Sequence, residues 1–248
     1  MAEKAAKTSS LLLREVFDLL IIHYLPECKL KNLLRRFLMK YVGLSTYGLV
    51  NNGDTIIHGG CFMIETVAKW SDAVGENGKV IIIEASKKNI DILDYEIKRR
   101  YLKNVILVHK GVWDSPGKMK LNFSNMSHKN KLKNKQLSST ILDKFHYDRE
   151  ETVNVNSIDN ILKELKISKV DLIYFTISGA EREALRGMKN VIKRASPKIW
   201  IRCSFYDVDT KRHTIQDCTT ILKKLKYTVV WAKKEGKHIG RNLFAYRN

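Results

Sequence analysis

The stretch Asn52-Gly53-Asp54-Thr55-Ile56-Ile57-His58-Gly59-Gly60-Cys61, closed by Val80-Ile81-Ile82-Ile83-Glu84, decides the fold. It reads as strand, turn, helix, strand. Asn52-Gly53-Asp54 is a turn signal, and Thr55-Ile56-Ile57 is an apolar run that enters His58-Gly59-Gly60-Cys61. A helical run to about Ala73 follows and breaks at Gly75…Gly78. This pattern predicts the first βαβ unit of a nucleotide-binding sheet. Two glycines after a strand let the backbone pass close to a ligand, and the next helix N-terminus presents free N–H groups. An acid at the tip of the following strand, roughly 20 residues on, suits a ribose diol. Glu84 holds that place. The glycine fingerprint is incomplete, because Ile64 stands where a third glycine is expected. A buried βαβ unit that binds nothing fits the same stretch.

Beyond this unit the chain keeps alternating. Ser86 caps a helix carrying Ile90, Leu93, Ile97 and Tyr101, and Asn104–Val108 is a third strand. Gly111-Val112-Trp113-Asp114 and Pro116-Gly117 are turns, and Lys118–Phe123 reads as a short strand. Val153-Asn154-Val155 is another short strand, and Ser157 starts a helix through Leu165. Val170–Ile177 is a strong strand, followed by Ser178-Gly179-Ala180-Glu181 and a helix through Met188. Pro197–Cys203 is a strand, and residues 213–226 form a helix with Ile215, Cys218, Ile221, Leu222 and Leu225 on one face. Tyr227–Trp231 and Asn242–Tyr246 are strands joined across Gly236, an antiparallel hairpin. Trp70, Trp200 and Trp231 sit in helix or strand patterns and are expected in the core. Strand–helix alternation predicts a mostly parallel sheet covered on both faces. Ligands in such sheets bind at the carboxyl ends of the strands. That brings His58–Cys61, Glu84, Lys110–Asp114 and Thr176–Glu181 around one crevice.

The 248 residues suffice for one large α/β domain with an appendage, and a hydrophobic content of 44% excludes global disorder. Residues 1–45 form the expected helical appendage and 46–248 the sheet domain. In the appendage, Leu13, Val16, Phe17, Leu20, Ile21 and Tyr24 repeat at helical spacing up to Pro26. A second amphipathic helix from about Lys29 carries Arg35 and Arg36 on its basic side. Such a face is a solvated surface or a contact for phosphate or membrane. The run Leu19-Leu20-Ile21-Ile22 is too short to span a bilayer, and no secretory signal is visible. Cys28, Cys61, Cys203 and Cys218 form no CxxC pair, and no His–Cys cluster has zinc spacing, so no metal is expected. A reducing, cytoplasmic setting fits these thiols.

The net charge is +19 and the pI about 9.7. Such an excess of Lys and Arg favours polyanions, RNA or a ribonucleoprotein first, against the plain alternative of a lysine-rich solvated surface. Residues 124–139 break the alternation and read as a long loop with Lys129, Lys131, Lys133 and Lys135 at alternate positions. Extended, these lysines would follow a phosphate backbone. With no aromatics interleaved, they offer no base stacking.

From Tyr47 to Arg247 the chain resembles the FkbM-type methyltransferases, which use S-adenosylmethionine. The resemblance is carried by Asn52–Ile57, by Lys79–Glu84, by Lys103-Asn104-Val105 and by Gly111–Asp114. Its most recognisable block is Asp171-Leu172-Ile173 with Gly179-Ala180-Glu181 and Leu185-Arg186-Gly187, and Asn242-Leu243-Phe244 completes it. It implies a Rossmann-like, class I methyltransferase fold: a seven-stranded, mostly parallel α/β sheet with a reversed last strand. It further implies that Glu84 binds the ribose and that His58, Gly59, Gly60 and Cys61 pass under the methionine part. Trp113 and Asp114 would border the adenine, and Thr176, Ser178 and Glu181 would face the acceptor.

The chain departs from that family at three acids. His58 stands for an acid of the first motif, and Thr176 and Ser178 stand for two acids before Gly179-Ala180-Glu181. Threonine and serine hydrogen-bond but are no general bases near neutral pH. Methyl transfer is mainly a matter of in-line positioning, so the losses do not exclude it. Two readings therefore stand: an S-adenosylmethionine-dependent methyltransferase, or a methyltransferase fold without catalysis that serves as a subunit binding RNA or a ribonucleoprotein.

Overall fold

The computed structural model describes residue 30 and residues 49–124, 131–132, 147–203, 206–207, 212–231 and 241–247. The N-terminal amphipathic stretches, with Arg35 and Arg36, lie outside these residues except for Leu30, which is helical and 56% exposed. Lys129, Lys133, Lys135 and Gly236 lie outside them too.

The first half runs β1 (Thr55–Gly59), α1 (Ile64–Val74), β2 (Lys79–Glu84), α2 (Lys87–Arg99) and β3 (Val105–His109). Four strands then form a separate small sheet: β4 (Gly111–Val112), β5 (Gly117–Ser124), β6 (Lys131–Leu132) and β7 (Tyr147–Asn156). The second half runs α3 (Ile158–Glu164), β8 (Leu172–Phe175), α4 (Glu181–Arg186), α5 (Lys189–Ala195) and β9 (Lys198–Cys203). A two-residue ribbon, β10 (Tyr206–Asp207) with β11 (Arg212–His213), leads to α6 (Thr214–Lys224), β12 (Thr228–Trp231) and β13 (Arg241–Tyr246).

The main sheet has the order β12-β13-β9-β8-β1-β2-β3. Only β13 is reversed, running antiparallel to both β9 and β12. The chain winds outward from β1 to β3 and then restarts at β8 on the other side of β1. The gap between the tips of β1 and β8 is thus the switch point where open sheets of this kind bind ligands.

Both faces are covered, so the central strands are apolar throughout. Ile57, Ile81, Ile83, Ile173 and Phe175 face one core, shared with α3 to α6. Ile56, Val80, Ile82 and Leu172 face the other, shared with α1. The caps act as their spacing predicts. Ser86 Oγ accepts from Asn89 N–H, and Ser157 Oγ from Asn160 N–H. Ile64, in place of a glycine, is 9% exposed and joins Val67 and Trp70 in the second core.

Four expectations need correction. Strands β5 and β7 are 8 and 10 residues long, a hairpin rather than two short strands. Lys131–Leu132, expected in a loop, pairs antiparallel with β5. The helix expected through Met188 divides at Gly187-Met188 into α4 and α5. Trp231, expected inside, is 47% exposed, and Tyr101, expected on the helix that Ser86 caps, is 82% exposed beyond its end. Tyr101 has left the α2 helix by a left-handed step, at φ 54°. Trp231 closes the edge strand β12, and its indole N–H donates to Thr219 Oγ1 at 2.9 Å. Trp70 and Trp200, at 0% and 5%, are core residues as expected.

Candidate active site at the strand tips

Gly59 ends β1, and Gly60 turns the chain away from the sheet at φ +81°. The turn is tied on both sides. Gly60 N–H donates to Ile83 O on β2 at 2.8 Å, and Thr176 N–H donates to Gly59 O at 2.9 Å. A Cβ on Gly60 would sit 2.6 Å from Thr176 O. Only glycine permits both the left-handed step and the close approach.

His58 lies directly under this turn and is 3% exposed. Trp70 Nε1–H donates to His58 Nδ1 at 3.3 Å. An indole N–H only donates, so Nδ1 is the acceptor and Nε2 carries the proton. Nε2–H therefore donates to Thr176 Oγ1 at 3.2 Å, and the Thr176 hydroxyl passes its own proton to Gly60 O at 2.8 Å. Burial holds the imidazole pKa down at about 3, so the ring is neutral. Tyr174 packs against it with ring centroids 4.4 Å apart. The result is an uncharged relay from Trp70 through His58 and Thr176 to the turn.

Across the gap, Glu84 ends β2 and is 7% exposed. Its Oε1 accepts from Ser86 N–H at 2.8 Å and from Asn89 Nδ2 at 3.3 Å. Burial pushes its pKa up to about 7 against those two hydrogen bonds and a third from the Ala85 backbone. With Oε1 held by the protein, Oε2 is the oxygen left to meet a ligand hydroxyl. Cys61 is close enough to feel this charge, but burial above all pushes its thiol up to about 12. An un-ionised buried thiol is a poor nucleophile.

Beside Glu84, Ala85 and the half-buried Trp113 pack on Leu121, Val153 and Val155 of the small sheet. Trp113 N–H donates to Asn156 O at 2.9 Å, which fixes the 113–114 segment to the end of β7. Gly187 backs the same segment, since a Cβ there would lie 2.4 Å from Trp113 O.

After β8 the chain makes two successive left-handed steps, Ser178 at φ 35° and Gly179 at φ 96°. Serine there is strained, and such strain concentrates at functional turns. Glu181 Oε1 accepts from Gly179 N–H at 3.0 Å and holds the turn. Glu181 itself is 0% exposed, its Oε2 has no hydrogen-bond partner, and burial pushes its pKa to about 7. Its surroundings include Glu183, Arg182 and Cys203, so it supports the turn from below.

Among sequence-derived candidates, His58, Gly59, Gly60 and Thr176 thus form one unit, and Glu84, Cys61 and Trp113 line the neighbouring tips. Lys131 sits on β6 of the small sheet, outside this unit. Sequence reasoning missed Trp70, Asn89 and Glu183. Asn89 had a signal, three residues after the Ser86 cap. Glu183 is 3% exposed and feels Asp114, and only its repeat after Glu181 marked it. Trp70 had no signal beyond an apolar helix position. Among the described residues no group of His, Cys, Asp or Glu could hold a metal, and no helix is long and apolar enough to cross a membrane.

The profile of the Methyltransferase FkbM domain matches residues 50–229. A solved FkbM methyltransferase from Methylobacillus flagellatus KT is similar at TM-score 0.56 and 16% identity, covering 86% of this chain and 48% of that one. The chain therefore spans about half the length of that protein. Fibrillarin from Aeropyrum pernix, solved with S-adenosyl-L-methionine, is similar at TM-score 0.50 and 12% identity, covering 86% and 74% of the two chains. At these identities the likeness speaks for the fold, which is that of the class I methyltransferases. No curated protein matches the chain.

Proposed function

The chain belongs to the FkbM methyltransferase domain family, and from that premise we propose that it transfers a methyl group from S-adenosylmethionine, the family's cofactor. The observation that carries the reading is the pairing of Gly60 with Glu84. A turn with no room for a Cβ faces a buried carboxyl whose Oε1 is already fixed by Ser86 and Asn89. Glu84 Oε2 would accept from the ribose hydroxyls. The Gly59–Gly60 backbone would pass under the methionine part, and Trp113 and Asp114 would border the adenine.

The cofactor supplies an activated methyl on a sulfonium. The chain's residues then need only to position an acceptor, exclude water and receive its proton. Thr176 is not the proton acceptor, because its hydroxyl already receives from His58 and donates to Gly60. The acceptor would enter over the strained Ser178-Gly179 turn. The charge of +19 favours RNA, or a protein bound to RNA, as its source.

One observation favours the second reading, a subunit without catalysis that binds RNA or a ribonucleoprotein. The positions of three family acids carry neutral His58, Thr176 and Ser178, and the first two are locked in a structural relay. Two measurements separate the readings. Thermal unfolding with increasing S-adenosylmethionine tests binding: a rising midpoint, lost in Glu84→Gln, is expected. Incubation with methyl-labelled cofactor and cellular RNA then tests transfer. Binding without any labelled product contradicts the enzymatic reading and leaves the subunit.

A further inference from the structure

Helices α3 and α6 end in the same way. Lys166 N–H donates to Lys163 O at 3.1 Å and Ile167 N–H to Leu162 O at 2.9 Å. Lys226 N–H donates to Lys223 O at 2.9 Å and Tyr227 N–H to Leu222 O at 3.0 Å. This is the two-bond helix stop whose left-handed residue is usually glycine. Here that residue is lysine both times, Lys166 at φ 55° and Lys226 at φ 61°, and α2 stops in the same way on Tyr101 at φ 54°. Both lysines are exposed. What sets the α3 and α6 stops apart is the cationic surface on which both lysines stand.

The two stops lie on one continuous surface. Arg194 Nε, at the end of α5, donates to Ser168 O at 2.9 Å, just beyond Lys166. Arg247 joins the other two ends, with Nη1 to Ser196 Oγ at 3.0 Å and Nε to Leu225 O at 3.0 Å. The edge formed is where β8, β9 and β12 begin, and its exposed cations include Lys163, Lys166, Lys193, Arg194, Lys223 and Lys226. No described carboxylate pairs with any of the six. The acids nearby are engaged elsewhere: Asp171 with Lys169 at 3.1 Å, Asp54 with Lys198 at 3.9 Å, and Glu164 with Lys110.

We infer that this edge docks the phosphate backbone of a double-helical nucleic acid. Cations at helix ends also complement the helix dipole, but that effect needs charge only within the last turn and no strained lysine beyond it. A membrane would require an apolar anchor beside the charge. Of the described exposed large apolar residues, Met63 and Trp231 stand at the strand-tip end, Ile92 and Tyr95 lie on α2, and Tyr101 precedes β3, three strands away from β8. Among the described residues no exposed aromatic is thus placed among the six cations, so the edge offers no base stacking and favours a duplex over a single strand.

The edge is at the opposite end of the strands from Gly60 and Glu84, roughly 15–20 Å away at about 3.3 Å per strand residue. A duplex held there is a docking partner, and the group that reaches the strand tips belongs to another part of the assembly. This inference rests on the nucleic-acid part of the proposed function and on none of its cofactor part.

The test is anisotropy of labelled RNA and DNA duplexes of one sequence, titrated with the full chain over a range of KCl. The double variant Lys166→Gly/Lys226→Gly is the probe, because glycine relieves both strained stops, and its melting midpoint reports that the fold is intact. Expected is a higher melting midpoint together with several-fold weaker duplex binding. The slope of log affinity against log salt should become shallower by about two, near 0.9 per phosphate contact. Lys193→Gln/Lys223→Gln should shift the slope alike, and the thermal shift with S-adenosylmethionine should stay as in the wild type. The two duplex arms identify which backbone is preferred. The inference is overturned by an unchanged slope, by a slope that resides entirely in Lys129, Lys131, Lys133 and Lys135, or by patch-dependent binding to anionic vesicles in place of duplex. Loss of the cofactor shift with intact docking would sink the enzymatic reading and leave this one standing.

Discussion

His58 Nε2 and Thr176 Oγ1 meet at 3.2 Å beneath the glycine turn, from positions 118 residues apart. Each stands where the resemblance read from the sequence led to the expectation of an acid. Together they form a directed chain of hydrogen bonds that ends on Gly60 O. Two buried carboxylates there would repel each other, whereas this pair is neutral and satisfied.

Thr176→Val keeps the shape and removes the hydroxyl's hydrogen bonds to His58, Gly60 O and, at 3.4 Å, Gly59 O. It leaves His58 Nε2–H and Gly60 O without partners, at a cost of about 1–3 kcal/mol. Urea unfolding measures this as a lower midpoint at unchanged m. A loss below about 0.5 kcal/mol would mean that the relay does not support the turn.

The pH dependence of stability has two opposed parts. Glu84 and Glu181 sit at about 7 in the fold, above the usual 4.5. The folded state binds more protons in that window, so this stability is present at acid pH and lost as pH rises through about 7. His58 sits at about 3, below the usual 6.5. Its contribution is present above 6.5 and lost as pH falls toward 3. Glu181→Gln should therefore gain on the wild type between about pH 5 and pH 8, by an amount on the order of 1–3 kcal/mol. Chemical denaturation at both pH values checks it. An equal offset at both would show that Glu181 does not titrate there.

Gly60→Ala should be severe and Gly117→Ala mild. The first puts a Cβ 2.6 Å from Thr176 O at φ +81°, while the second meets only Val155 Cγ2 at 3.8 Å. Expected losses are about 2 kcal/mol or more for Gly60→Ala and about 0.5 kcal/mol or less for Gly117→Ala. The melting midpoints rank them, and a reversed ranking would refute the crowded turn.

The stops at Lys166 and Lys226 make a prediction of opposite sign. Each change to glycine relieves a left-handed lysine and should stabilise by about 0.5–1 kcal/mol. Stability would rise while duplex binding falls, a combination that simple damage to the fold does not produce.

Much of this was legible in the sequence, and the reasons are local. Val80–Ile83 announces a central strand because both its faces are buried. Gly53, Gly60 and Gly75 mark turns because each takes a positive φ, and Ser86 marks a helix start because its hydroxyl has a single nearby donor to satisfy. What escaped depends on distance or on side chains without pattern. Strand β7 begins Tyr147-Asp-Arg-Glu-Glu, polar residues held by pairing with β5 rather than by an apolar face. Glu181 looked like an acceptor contact, yet its carboxyl is buried under the turn that it braces. His58 looked like a lost acid, and only the fold brings Trp70 and Thr176 to its two nitrogens.

The most direct test of the central claim is titration calorimetry of the full chain with S-adenosylmethionine near neutral pH. The account predicts a micromolar dissociation constant, about −8 kcal/mol, weakened roughly tenfold or more in Glu84→Gln and unaffected by Lys166→Gly/Lys226→Gly. No heat at about millimolar cofactor, or equal affinity in Glu84→Gln, would contradict it.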